Sequence, residues 1–176
     1  MATKRISIIG PSGTGKSTLA RKLSERFSLP HVELDALYWQ PNWEAPPTDV
    51  FLDKVSKSLS GDRWVTDGNY AAGVARDIVL TRADTVIWLD YTLAQVYRRL
   101  LPRTLRRVLK RETLWNGNRE TFRSQFLSPD SLLLYVLKTH WRRRRRYAER
   151  FSAPGHLEVL RFRTPRELEV WLEQPR

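Results

Sequence analysis

Residues 5–22, RISIIGPSGTGKSTLARK, decide the fold. Gly10, Gly15, Lys16 and Ser17 stand at the spacing G-x-x-x-x-G-K-[ST], the pattern of a phosphate-gripping loop between a strand and a helix. Upstream, Ile6, Ile8 and Ile9 read as a short buried strand; downstream, Leu19, Ala20, Leu23 and Phe27 fall on one helical face. The glycines at 10, 13 and 15 let successive N–H groups converge on one anion. A helix opening at Lys16 adds the positive end of its dipole. The motif predicts that Gly10, Ser12, Gly13, Thr14, Gly15, Lys16, Ser17 and Thr18 surround a nucleoside triphosphate tail. Lys16 is expected to reach the β- and γ-phosphates, and the Ser17 hydroxyl to ligate Mg²⁺.

The 176 residues amount to one domain, large enough to bury a proper core. With no cysteine, disulfide scaffolds and thiolate metal sites are excluded. No apolar run approaches the ~20 residues of a membrane span, and the residues after Met1 run directly into the phosphate loop, so a soluble, cytoplasmic protein is expected. Lys and Arg number 31 against 19 Asp and Glu, a net charge of +12 that attracts nucleotides and nucleic acids alike.

Further along, His31 to Asp35 reads as a second strand, in which Glu33 and Asp35 share a face. Leu37 to Pro47 is aromatic and proline-rich, an ordered surface loop. Thr48 is placed to cap a helix with Phe51, Val55 and Leu59 inward. Arg63 to Asp67 is a third strand, turning at Gly68, and Thr85 to Asp90 a fourth, apolar enough to be buried on both faces. A long helix with Leu93, Val96, Tyr97 and Leu100 inward runs to Pro102; Arg98 to Arg111 is densely basic, and Trp115 to Asn118 breaks it. Ser128-Pro129-Asp130 opens a helix with Leu132, Leu133, Val136 and Leu137, ending in the run Arg142 to Arg146. His156 to Phe162 is a fifth strand, and Thr164 with Glu167 a capping box for a last helix closed by Leu168, Val170, Trp171 and Leu172. Strands alternating with helices argue for an α/β fold, a parallel sheet sandwiched by helices, with ligands at the carboxyl ends of the strands.

Asp35, Asp67 and Asp90 each end a strand and are expected to converge on the phosphate loop. Two functional roles are open to Asp35, general base for an acceptor hydroxyl or holder of Mg²⁺-bound water, against a solvated strand end. Asp67 is a candidate for the outer Mg²⁺ shell, against a simple Asp-Gly turn. Asp90 reads best as a cap for the helix beginning near Thr92. Arg99, Arg103, Arg106 and Arg107 are candidates for a clamp on the transferring phosphoryl group, against a solvated basic face. Arg142 to Arg146 covers every side of a helix; a nucleic-acid contact surface is the minority reading. His31, His140 and His156 lack metal-ligand spacing. Tyr38, Trp39 and Trp43 either line an acceptor pocket or cover a core.

Taken together, GPSGTGKST (10–18), LDALYWQPNW (34–43), WVTDGNY (64–70) and RADTVIWLD (82–90) resemble the P-loop kinases known as topology modulation (FlaR-type) proteins, of the wider adenylate-kinase-like group. The resemblance implies a five-stranded parallel sheet, a helical lid near residues 103–127, ATP as donor and Mg²⁺ as cofactor. In nucleoside monophosphate kinases, arginines nine and thirteen positions after the strand-ending aspartate contact adenine and phosphates; counting from Asp90 gives Arg99 and Arg103. The Asp-Gly motif of those kinases continues to an arginine, whereas Asp67-Gly68 is followed here by Asn69 and Tyr70, so Arg76 is the candidate to grip an acceptor's phosphate. Asp35 matches a substrate-orienting aspartate of shikimate- and gluconate-type kinases, and backbone at Arg163 and Thr164 is expected against adenine. The reading is an ATP-dependent kinase acting on a small hydroxylated or nucleotide acceptor. A rival reading is an ATP-switched nucleic-acid-binding regulator. GTPases and motor ATPases are disfavoured, because no Asn-Lys-x-Asp motif occurs and Tyr91, not glutamate, follows Asp90.

Overall fold

A computed structural model describes residues 5–68, 74–152 and 155–174. Five strands, β1 (Arg5–Ile9), β2 (His31–Glu33), β3 (Trp64–Asp67), β4 (Thr85–Leu89) and β5 (Glu158–Phe162), form one sheet in the order β2-β3-β1-β4-β5. All four pairings are parallel, and Ile8 stands between Asp67 and Ile87 in register. The central strands β1, β3 and β4 are apolar and buried, as strands covered on both faces must be. Arg5 ties the start of β1 to the turn before β4 through Asp84, at 2.7 Å.

Among the described residues seven helices supply the cover: α1 (Lys16–Phe27), α2 (Leu34–Tyr38), α3 (Thr48–Ser58), α4 (Val74–Arg82), α5 (Leu93–Leu109), α6 (Leu132–Ser152) and α7 (Pro165–Glu173). Ile6, Ile8 and Val65 pack against Leu19 and Leu23 of α1, Val96 and Leu100 of α5, and Leu133 and Val136 of α6. On the opposite side Ile9, Val86 and Trp88 meet Leu80 of α4 and Tyr147 of α6. α6 therefore contributes its first half to one face of the sheet and its last turns to the other. α3 and α4 close a third cluster around Trp64.

Several elements depart from the sequence reading. The second strand stops at Glu33, and Leu34–Tyr38 is a helical turn, so Glu33 and Asp35 do not share a strand face. Leu, Ala and Leu favour helix, and Asp35 suits a first turn where N–H groups are unpaired. The expected loop from Leu37 therefore begins inside α2 and includes a 3₁₀ turn, Pro41–Trp43. α5 does not end at Pro102 but continues to Leu109. The proline forfeits one N–H bond on an exposed side, while Val96, Leu100 and Thr104 hold the opposite face buried. α6 starts at Leu132, with the Ser131 hydroxyl accepting from the Leu134 N–H at 3.3 Å; Ser128 to Asp130 is a turn ahead of it. Thr92, paired reciprocally with Gln95, caps α5 in place of Asp90. Thr48 is the first helical residue of α3 and not its cap, β5 begins at Glu158, and Leu137 and Val170 are exposed.

Candidate active site

The loop from Gly10 to Gly15 joins the central strand to α1, at the carboxyl end of the sheet. Gly13 and Gly15 have φ of +88° and +94°, a region open to glycine. A Cβ at Gly13 would lie 2.9 Å from Leu100 Cβ, so α5 passes directly against the loop. The Thr14 hydroxyl donates to Pro11 O at 2.8 Å, closing the turn, while Ser12 is half-buried and Thr18 exposed.

Lys16 is buried, and its Nζ donates to Pro11 O at 3.1 Å. Burial pushes its pKa from 10.5 down to about 8; Asp35 and Asp67 oppose the shift, and Arg143 and Arg103 reinforce it. Charged side chains on four elements therefore act electrostatically on one buried ammonium. Ser17 Oγ donates to Asp67 Oδ2 at 2.5 Å, and the other carboxylate oxygen meets His31 Nε2 at 2.8 Å. Asp67 is 1% exposed, so its orientation is fixed from both sides.

From α5, Arg99 donates to Thr14 O at 3.3 Å and lies over the Tyr91 ring. One turn on, Arg103 is held down to about 10 by burial and by neighbouring Arg107, and its Nε is buried with no hydrogen-bond partner among the described residues. Arg107 and Arg106 are engaged elsewhere, with Glu120 at 3.1 Å and Glu112 at 3.0 Å respectively, whereas Arg99 and Arg103 enter no ion pair among the described residues.

Opposite the loop, Asp35 stands in the first turn of α2. Burial raises the Glu33 pKa, and a hydrogen bond from the Trp115 indole works against that rise. Trp115 belongs to the loop after α5, and that loop rests on the segment following α2. Asn118 donates to Gln40 O and accepts from the Trp43 N–H, both at 2.8 Å, and Asn116 donates to Trp39 O at 2.5 Å. Edge-on rings connect Phe51, Tyr38, Trp39, Trp43 and Trp115 in sequence. Tyr38 and Trp39 thus build the wall on which the loop sits.

Other expected residues fall differently. Asp90 accepts from Arg144 at 2.9 Å and Arg161 at 2.6 Å, joining α6 to β4 and β5, and does not reach the Lys16 cluster. Arg76 pairs with Asp77 and lines a small cavity with Ser7, Leu34, Gly68 and Tyr147, beside the turn after Asp67. Asn69 lies outside the described residues. The Arg163 side chain is exposed, and its N–H, expected against adenine, donates to Glu167 Oε2 at 2.8 Å. The sequence reading missed His31, Arg143 and Glu33. Helical period resolves the arginine run: Arg143 faces Lys16 and Arg144 faces Asp90, whereas Arg142, Arg145 and Arg146 are exposed. The run is therefore not a single contact surface.

The donors suit the expected ligands. Ser17 and Asp67 offer the oxygen atoms Mg²⁺ prefers, and no group of three His, Cys, Asp or Glu among the described residues forms a competing metal cage. A buried ammonium and a guanidinium whose buried Nε has no partner among the described residues suit a polyphosphate.

No family model matches the chain. A cytidylate kinase from Maridesulfovibrio salexigens is 32% identical over 66 residues, 36% of this chain and 30% of that protein. A bifunctional pantoate ligase/cytidylate kinase from a Synechococcus species is 27% identical over 165 residues, 86% of this chain and 33% of that protein. The chain thus spans about a third of the length of these curated relatives. Among solved structures, a gluconokinase from Sinorhizobium meliloti superposes with TM-score 0.57 at 20% identity, over 96% of this chain and 88% of that one. A shikimate kinase from Bacteroides thetaiotaomicron gives 0.59 at 14% identity, over 98% and 100%. The fold is that of the P-loop kinases, a five-stranded all-parallel sheet flanked by helices.

Proposed function

We propose that the chain is an ATP-dependent kinase that transfers the γ-phosphoryl group to a small hydroxylated or nucleotide acceptor. The observation that carries this reading is that Asp67 of β3 and Arg99 of α5 both meet the phosphate loop beside buried Lys16, Asp67 through Ser17 Oγ at 2.5 Å and Arg99 through Thr14 O at 3.3 Å. The kinase names of the relatives point the same way. Within that group the motifs favour the topology modulation type.

In this reading the loop N–H groups and Lys16 hold the β- and γ-phosphates, and Arg99 and Arg103 close on them from α5. Ser17 and Asp67 would hold Mg²⁺, which neutralises charge across the β- and γ-oxygens. Asp35 orients the acceptor hydroxyl and takes its proton as the oxygen bonds to the γ-phosphorus and ADP departs. Tyr38, Trp39 and Arg76 flank the acceptor. Residues 103–127 act as a lid within a single domain, excluding water so that transfer outcompetes hydrolysis.

The test is ADP release from Mg-ATP across a panel of nucleosides, nucleotides, sugars and polyols. At least one acceptor should raise release well above background, and Lys16→Ala should abolish that rise with the fold intact. Unchanged release in Lys16→Ala contradicts the proposal.

A further inference from the structure

α5 and α6 expose apolar side chains in rows. Leu101, Leu105 and Leu109 follow at four-residue spacing along α5, with exposures of 41%, 43% and 72%. Leu134, Leu137 and Trp141 make a second row on α6, at 38%, 41% and 60%. Of the eleven large apolar side chains exposed among the described residues, nine lie between positions 101 and 141. Charge is distributed in the same way. Residues 98–146 hold 15 of the 31 Lys and Arg and 3 of the 19 Asp and Glu, so they carry the whole +12 while the rest of the chain balances 16 against 16.

The two helices adjoin. The Tyr97 hydroxyl donates to Leu133 O at 2.5 Å, and Val96, Leu100, Leu133 and Val136 share one buried cluster. Arg98, Arg106, Lys138, Arg142 and Arg145 are exposed beside the apolar rows. Apolar patches of this kind on a soluble fold mark interaction sites.

We propose that α5, α6 and the loop joining them form a docking face for an anionic lipid surface. Leucines and a tryptophan enter the boundary between headgroups and acyl chains, while arginines and lysines meet headgroup phosphates. The face lies on the membrane and does not cross it; no helix among the described residues is long and apolar enough to span. A second copy of the chain is disfavoured as occupant, because two faces of +12 would repel. Nucleic acid would satisfy the arginines and leave the leucines without a partner.

Vesicle sedimentation tests this with the full chain, using equal parts phosphatidylglycerol and phosphatidylcholine against phosphatidylcholine alone. Binding to the anionic vesicles should be at least about tenfold tighter, and should weaken as salt rises from about 50 to about 500 mM. The pair Leu137→Ser and Trp141→Ser, and separately Arg142→Glu with Arg145→Glu, should each lower binding about tenfold with unchanged melting temperature. Absence of binding to anionic vesicles overturns the proposal. So does full binding by the Leu137 and Trp141 variant, which would reduce the effect to charge attraction. Displacement of the vesicles by an oligonucleotide that binds more tightly, or a stable dimer in sedimentation equilibrium that hides the face, also overturns it.

Discussion

Lys16 is destabilising in the unliganded protein. Its pKa of about 8 lies below the ordinary 10.5, so between those values the folded chain binds fewer protons than the unfolded one, and stability rises with pH across that window. The shift corresponds to a penalty on the order of 3 kcal/mol below pH 8. Lys16→Met should therefore raise the melting temperature at pH 7 by about 5–10 °C while turnover disappears, and the gain should fade above pH 10.5. A lowered melting temperature would mean that the ammonium is already compensated. His31 acts through Asp67, whose second oxygen it holds at 2.8 Å. His31→Ala should raise the Mg²⁺ concentration for half-maximal turnover about 10- to 100-fold, and an unchanged requirement would leave Ser17 as the sole anchor. At Gly13, where φ is +88° and a Cβ would stand 3.2 Å from Val96 O, Gly13→Ala should displace α5 from the loop and abolish ATP binding. The phosphate loop was legible in the sequence because its chemistry is local: three glycines, a lysine and a serine within eight positions. His31 and Arg143 were not. Their roles depend on register with β3 and on which side of α6 faces the loop, and neither leaves a spacing signature.

Among the elements, the loop after α5 is the one whose behaviour is most open to experiment. Asn118 anchors it with three hydrogen bonds at 2.8 Å, to Gln40 O, to Trp115 O and from the Trp43 N–H. Asn118→Ala should cost about 1–3 kcal/mol of that docking, speed proteolytic cleavage within 110–127, and raise ADP release in the absence of acceptor. Cleavage at the wild-type rate would show that the aromatic stack of Trp43 and Trp115 alone holds the loop. All five strands were found in the sequence, β4 most plainly as an apolar run, though the second was drawn to Asp35 and the fifth from His156. Helix ends were less legible. Pro102 marks a stop by local rules, yet the buried row Val96, Leu100, Thr104 carries α5 seven residues past it. Leu34 and Asp35 continued a strand by position, but Leu34–Tyr38 follows the helix preference of its own residues.

For the whole molecule, alternation of strands and helices was enough to place Asp67 at the end that holds the loop, whereas Asp35 stands in α2 and Asp90 pairs with Arg144 and Arg161. The sequence shows that residues 98–146 carry the whole +12, but not which of those side chains turn inward. A balanced body carries a basic cap of α5, loop and α6, part of which turns inward to Lys16 and part outward to solvent. In the proposed function the inward part holds a polyphosphate, which is most directly measured by calorimetric titration with a non-hydrolysable ATP analogue and Mg²⁺. Predicted is one site per chain, lost in Lys16→Ala and weakened at least about tenfold in Arg103→Ala. Equal binding by wild type and both variants, or no binding by the wild type, would contradict it.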